Sequence, residues 1–347
     1  MDGKGSPCSV GAVASPRSRR PQRSSARRAA FGVAFAGVLL VVLEIGLRLA
    51  GVRPAYRVQD LGQWRVAPNL AGREMLGPRD QHGFALSTNG DGLRTRVPVG
   101  RTGGRVRVAL LGDSTVFGWG VNDGESVAEG AQQALGDRYE VMNAGQPGYS
   151  TTMMSWLFGE VIQSYKPDIA VVFVPLHDTN LVLVSDREVL NGGATAFAKV
   201  RVGLAQESRF YQVIRGLMFD MTDKAWLLPF ESSTEPRVQR VSDVERTQAL
   251  DDMRAVMAEW GGRLAVGFLP FKGDIEDGDR MERPGVQWAQ EYTASHDVAL
   301  IDVRACCAGH TGFVLADDPG HLTRAGNFAA GAQIAAKLLQ STPGASP

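Results

Sequence analysis

The sequence predicts an α/β fold, a doubly wound parallel sheet of about five strands, with one apolar helix ahead of it. Three observations carry that expectation. From about residue 105 to the C-terminus, short apolar runs alternate with segments of helical period, five strand–helix repeats in all. The third run, Asp168–Pro175 (DIAVVFVP), is almost unbrokenly apolar and lies between two prolines, as expected of a strand covered on both faces. Near the N-terminus, Ala29–Leu43 (AAFGVAFAGVLLVVL) carries no charge. The chain has 347 residues, 44% hydrophobic and 21% charged, enough to bury one large core. Lys plus Arg equals Asp plus Glu at 37 each, so no global field points to nucleic acid.

Residues 1–28 read as a disordered cytoplasmic tail rich in Ser, Pro and Arg, with Arg17, Arg19, Arg20, Arg23, Arg27 and Arg28 crowded into it. Residues 29–52 read as a transmembrane anchor. The uncharged core is short for a bilayer. Counting through Glu44 to Val52 makes it long enough, with Glu44 and Arg48 spaced to pair near the far interface. A cleaved signal peptide is the alternative, and a buried helix fits less well. The arginines before the apolar run place the N-terminus in the cytoplasm and the remainder outside.

Residues 53–104 form a lead-in segment with many turn residues, Asn89-Gly90-Asp91-Gly92 among them. The domain proper is expected over 105–340. Its strands are expected at Arg105–Leu111, Tyr139–Asn143, Asp168–Pro175, Arg263–Leu269 and Ala299–Val303. Its helices are expected at Glu125–Leu135, Thr151–Tyr165, Asp243–Trp260, Gly285–His296 and Ala325–Leu339. The stretch from about 181 to 241 breaks this rhythm and reads as an insertion over the edge of the site. Cys8, Cys306 and Cys307 make neither a disulfide framework nor a zinc spacing, and no metal or cofactor is expected.

In a doubly wound sheet the reacting groups gather beyond the carboxyl ends of the strands. Four short segments fall there. Gly112-Asp113-Ser114-Thr115 follows the first strand and can expose a serine hydroxyl with its own N–H, although Asp, Ser and Thr are also ordinary helix caps. Asn143-Ala144-Gly145 ends the second strand, where the Gly145 amide is expected to be open to an oxyanion; a tight turn is the plainer reading. His177-Asp178 follows the third strand, where a side-chain donor could complete the hole, and a solvated loop is the plainer reading. Asp318-Pro319-Gly320-His321 precedes the last helix: the carboxylate can orient the ring that takes a serine proton, yet Asp-Pro-Gly is also good turn chemistry. Each signal alone is modest; together they converge on one edge.

With these residues in place the sequence resembles the GDSL/SGNH hydrolases over roughly Arg105 to Leu339, the middle insertion apart. The resemblance implies a flavodoxin-like sheet. It implies Ser114 as nucleophile, Asp318 and His321 as its partners, and the Ser114 and Gly145 amides as oxyanion donors, with Asp113 and Asp178 in support. Asn89-Gly90-Asp91-Gly92-Leu93-Arg94 looks like the segment that precedes the nucleophile in anchored bacterial members. One departure stands out. The family's third motif is Gly-x-Asn-Asp, and Pro175-Leu176-His177-Asp178 aligns with it, so His177 replaces the Asn that donates to the oxyanion. Asn180, three residues on, is an alternative donor.

The expected function is hydrolysis of an acyl ester through an acyl-serine, by a single-pass protein with its hydrolase domain outside the cytoplasm. The expected substrate is an acyl ester or an acetylated glycan or lipid of the envelope. An O-acyltransferase acting on envelope polysaccharide and a non-catalytic glycan-binding protein on the same fold are the competing readings. Asp80-Gln81-His82 is a further Asp-x-His, and Asp317 is a second acid near His321. His296 and His310 have no motif around them and read as surface or packing residues. No oligomeric state is legible.

Overall fold

A computed structural model of the chain describes residues 25–52, 56–60, 63–76, 83–101, 103–182, 185–191, 204, 208–211, 213–214, 237–276, 285–316, 318 and 320–341. Two compact units divide at Val52 and Arg53.

The first unit contains one helix, α1 (Ser25–Leu49), which begins four residues before the expected start and takes in Arg27 and Arg28. Its span Arg27–Leu49 is 23 residues, with a mean hydropathy of 2.4 over its most apolar 18-residue window, about 35 Å of helix and enough to cross the hydrocarbon of a bilayer. A signal sequence would meet the same test of length and composition. The consecutive side chains Val38–Leu43 are all exposed, so every face of the helix is apolar and uncovered. Arg48 Nε donates to Glu44 Oε1 at 2.8 Å, one turn apart.

The second unit opens with two hairpins, β1 (Tyr56–Asp60) with β2 (Gln63–Val66) and β3 (Arg73–Leu76) with β4 (Gly83–Leu86). The strand–helix alternation then begins. It runs β5 (Val106–Gly112), α2 (Ser114–Phe117), α3 (Val127–Leu135), β6 (Tyr139–Gly145), α4 (Thr151–Glu160), β7 (Ile169–Phe173), β8 (Leu181–Val182) and α5 (Asp186–Leu190). After the middle stretch come β9 (Val238–Gln239), α6 (Asp243–Ala258), β10 (Arg263–Phe268), α7 (Lys272–Glu276), α8 (Val286–His296), β11 (Ala299–Asp302) and α9 (Arg324–Ser341).

Five of these strands form one parallel sheet in the order β6-β5-β7-β10-β11. Its first two strands in sequence are swapped in space, the flavodoxin-like arrangement, and β5 and β7 flank the point where the order reverses. Both faces are covered. Ala109, Leu111, Met142, Val172 and Val266 pack on one side with α4, α6 and α8, while Val108, Leu110, Val141, Val171 and Ala265 pack on the other with α3 and α9. The alternation along each strand is the period of two that strand geometry imposes. Gly130 and Gly331 let α3 and α9 touch backbone to backbone: a Cβ on Gly331 would lie 2.4 Å from the Ala131 nitrogen.

The stretch expected to break the rhythm does so. Its two ends are joined: β8 pairs antiparallel with β9, Leu181 opposite Gln239. The chain therefore leaves and returns beside His177-Asp178. Most of residues 192–236 lie outside the described residues, as do Cys8, Asp80-Gln81-His82 and Asp317.

The lead-in is more than a tether. Arg94 is buried, and its guanidinium donates to the carbonyls of Phe117 (3.2 Å), Gly118 (2.7 Å) and Val121 (2.7 Å), with Asp123 Oδ1 at 3.3 Å. These carbonyls end α2 and form the turn after it, and the guanidinium lies over the rings of Phe84 and Phe117. Gln146, fully buried, accepts from the Val66 amide (2.9 Å) and donates to the Gly92 carbonyl (3.1 Å). Replacing Arg94 with Leu leaves those carbonyls buried without donors. Denaturant unfolding of the full chain in detergent should show a loss of about 3 kcal/mol or more, with Lys at this position losing less.

Candidate active site

The strand register sets the site. Gly112 at the end of β5 is level with Gly145 at the end of β6. The four-residue helix α2 starts immediately beyond, with Asp113 as its N-cap. Asp113 Oδ1 accepts from the Thr115 amide (2.9 Å) and hydroxyl (2.7 Å). Ser114 is the first residue of that helix, where an amide has no intrahelical acceptor. Gly118, with φ at 79°, closes α2.

His321 approaches from the far end of the chain. Its ring Nε2 lies 2.8 Å from Ser114 Oγ, and its Nδ1 lies 2.9 Å from Asp318 Oδ2 and 3.0 Å from Oδ1. Asp318 is buried, and its Oδ1 also accepts the amides of Gly320 and His321, each at 2.7 Å. The turn and the pairing are thus one structure: the carboxylate that closes the Asp-x-x-His turn is the one that orients the ring. The bridge between Val314 and Leu322 and the Leu315 amide to the His321 carbonyl (2.9 Å) pin the loop. Burial pushes the Asp318 carboxyl up. The bonds and charge of His321, with the two amides, more than offset this and hold it below its ordinary range. Asp318 is therefore ionised where the ring needs a counter-charge.

The amides near Ser114 divide differently from the expectation. Gly145 is corrected as an oxyanion donor: its N–H already donates to Asn143 Oδ1 at 3.0 Å inside the protein. The need for glycine there is steric, since a Cβ would lie 2.3 Å from the Phe117 nitrogen of α2. Asn143 is buried and also donates to the Val116 carbonyl (2.9 Å) and Ser126 Oγ (3.0 Å), tying β6 to α2. In the same loop Gly148, with φ at 74°, is half-buried, and its amide has no hydrogen-bond acceptor among the described residues. Sequence reasoning passed over it because two glycines three apart look alike in a turn.

His177 lies in the turn after β7, half-buried. Its Nε2 is 3.0 Å from Asp113 Oδ2, a close ionic contact without the alignment of a straight hydrogen bond. Burial pushes the Asp113 carboxyl up, but His177 and the Thr115 donors outweigh it and bring it down to about 2. Asp178 is fully buried. It accepts from the Thr151 amide (3.0 Å) and hydroxyl (2.6 Å) and from Arg246 Nε (3.1 Å), fixing the His177 turn to the start of α4. Arg240, just past β9, donates to the Gly148 carbonyl (2.9 Å) and to Asp186 (2.9 Å), which in turn accepts from Ser150 Oγ (2.5 Å). Arg240 and Arg246 had no sequence signal, because a buried arginine reads like a surface one until its partners are known. Asn180 is exposed. His296 stacks on Tyr292 at 4.2 Å and His310 on Phe313 at 4.8 Å, packing roles as expected. Among the described residues no group of three His, Cys, Asp or Glu side chains could hold a metal ion.

Neither a protein-family model nor a curated protein sequence matches the chain. Similar solved structures include a lipase/acylhydrolase, an aryl esterase and a putative lipolytic protein of the G-D-S-L family from Desulfitobacterium hafniense. A lipase/acylhydrolase from Enterococcus faecalis is 18% identical, covering 67% of this chain and 95% of its own, with a TM-score of 0.40. The inhibitor-bound aryl esterase of M. smegmatis is 12% identical, covering 68% and 100%, with a TM-score of 0.40. The likeness is weak, and the chemistry assigned below comes from this chain's own residues.

Two outcomes follow from the geometry. Gly145→Ala must push α2 away from β6, so Ser114 should lose at least roughly ten-fold in reactivity toward an acylating probe. The depressed Asp113 carboxyl contributes stability that is present above the unfolded value near 3.8 and lost as pH falls toward about 2. Denaturant unfolding over that range should show a loss that is smaller in Asp113→Asn than in wild type by on the order of 2 kcal/mol.

Proposed function

We propose that the chain is a membrane-anchored serine esterase of the SGNH kind, cleaving carboxylic esters through an acyl-serine intermediate. The observation that carries this reading is the unbroken relay from the Ser114 hydroxyl to His321 Nε2 and from His321 Nδ1 to buried, ionised Asp318. A scaffold protein would have no need for a serine, a ring and a carboxylate aligned within hydrogen-bond distance across more than two hundred residues of chain.

In the proposed reaction His321 takes the Ser114 proton as Oγ attacks the ester carbonyl. Asp318 offsets the charge that develops on the ring. The Ser114 and Gly148 amides, with His177, receive the oxyanion. Collapse of the tetrahedral species expels the alcohol, which takes the proton from His321. Water, deprotonated by the same ring, then releases the acid and frees the serine. No step calls on a metal or cofactor.

The apolar helix α1 supports tethering to a bilayer, and the arginines before it support an orientation with residues 53–347 outside the cytoplasm. O-acetyl groups on envelope glycans or lipids are the substrates such a tether would bring within reach. Ser114→Ala and His321→Ala should each lower hydrolysis of p-nitrophenyl acetate by roughly 10³-fold or more, and Asp318→Asn by a comparable or smaller factor. A fluorophosphonate should label the wild-type chain and not Ser114→Ala. Undiminished hydrolysis by Ser114→Ala would overturn the proposal.

A further inference from the structure

Beside the relay of Asp318 and His321 stands a second carboxylate–imidazole pair, Asp113 with His177. It touches the nucleophile through the chain itself, because Asp113 is bonded to Ser114. Asp113 is buried, and its two oxygens have separate tasks: Oδ1 caps α2 through Thr115, and Oδ2 faces His177 Nε2 at 3.0 Å. The turn that bears His177 is held in place by Asp178, whose carboxylate is bound by Thr151 and Arg246.

The contact with Asp113 restricts what the ring can do. A carboxylate opposite Nε2 demands a proton on that nitrogen. In a neutral imidazole the proton is then spent, and Nδ1 carries only a lone pair, which repels an oxyanion. Only the imidazolium has a second N–H to offer. Nε2 itself is buried and makes no aligned hydrogen bond, so its tie to Asp113 Oδ2 is one of charge. An asparagine in this position would donate in any protonation state; a histidine paired with Asp113 can donate only when charged.

We propose that His177 works as an imidazolium, its charge paired with Asp113 beside Nε2 and its Nδ1–H given to the oxyanion, so that the site needs two histidines in opposite states. His321 must be neutral to accept the serine proton, and His177 must be charged to donate. This rests on the esterase reading above and extends it to the control of that site by pH. The charged groups around His177 are Asp113 at the end of β5, Asp178 in its own turn and Arg240 beyond β9. Burial and Arg240 push the ring down, while Asp113 and Asp178 push it up, and the net direction is above its ordinary value. Activity therefore falls on the alkaline side, as His177 loses its proton.

The test is the pH profile of kcat/KM for p-nitrophenyl acetate, measured on the full chain in detergent. Wild type should fall by at least roughly ten-fold from its plateau on the alkaline side. His177→Asn should lose this alkaline limb, because an amide donor does not titrate. Asp113→Asn should move the alkaline limb to lower pH; if that variant fails to fold, His177→Asn alone decides. An alkaline limb unchanged in His177→Asn, in a chain that hydrolyses the ester and is labelled at Ser114 by a fluorophosphonate, overturns this inference and leaves the esterase reading intact. A wild-type chain that neither hydrolyses nor is labelled overturns both.

Discussion

The hydrogen bond of 2.8 Å between the Ser114 hydroxyl and the His321 ring joins residues 207 apart, and the surrounding structure acts to hold it. Neither side chain is fixed by its own element. Ser114 sits on a helix of one turn, too short to be stable alone, and His321 sits on a loop. Each end is therefore held from several directions. Arg94 caps the end of α2, Asn143 ties it to β6, and Gly145 leaves it room. Asp318 gathers two amides and the ring into one turn.

The same economy extends to the loops around Ser114. Asp178 joins the turn after β7 to the start of α4, and Arg240 joins the Gly148 loop to α5. Buried ions of this kind add little net stability once their desolvation is counted, but removing one partner is costly. Their value here is positional: the loops around Ser114 are short, and charged bonds give them one geometry each. The joined ends of the middle stretch, β8 and β9, belong to this network through Arg240 and the Val241 amide, which donates to the Asp178 carbonyl at 3.0 Å.

Much of this was legible in the residues. Strand and helix positions followed from apolar periodicity, because a sheet covered on both faces leaves an uninterrupted apolar run at Ile169–Phe173 and one broken only by Arg107 at Val106–Gly112. Ser114, Asp318 and His321 were legible because their neighbours, Gly-Asp before the serine and Asp-Pro-Gly before the histidine, are what strand-end turns require. The loop donors were not. The Gly145 amide is taken up by Asn143, whose side chain turns back onto its own loop, and a sequence does not display that turn. The lead-in looked like a string of turns since its anchoring contacts, Arg94 to α2 and Gln146 to Val66 and Gly92, are long-range and polar. Asp113 read as a cap, which it is, while its second oxygen and His177 met only in three dimensions.

The central claim is that Ser114 becomes acylated during turnover. Rapid acid quench of the full chain with p-nitrophenyl acetate, followed by peptide mass spectrometry, measures this directly. The account predicts one acetyl group on the peptide that contains Ser114, and none when His321 is replaced by alanine. Hydrolysis that proceeds with the acetyl group on another residue, or on none, would contradict it.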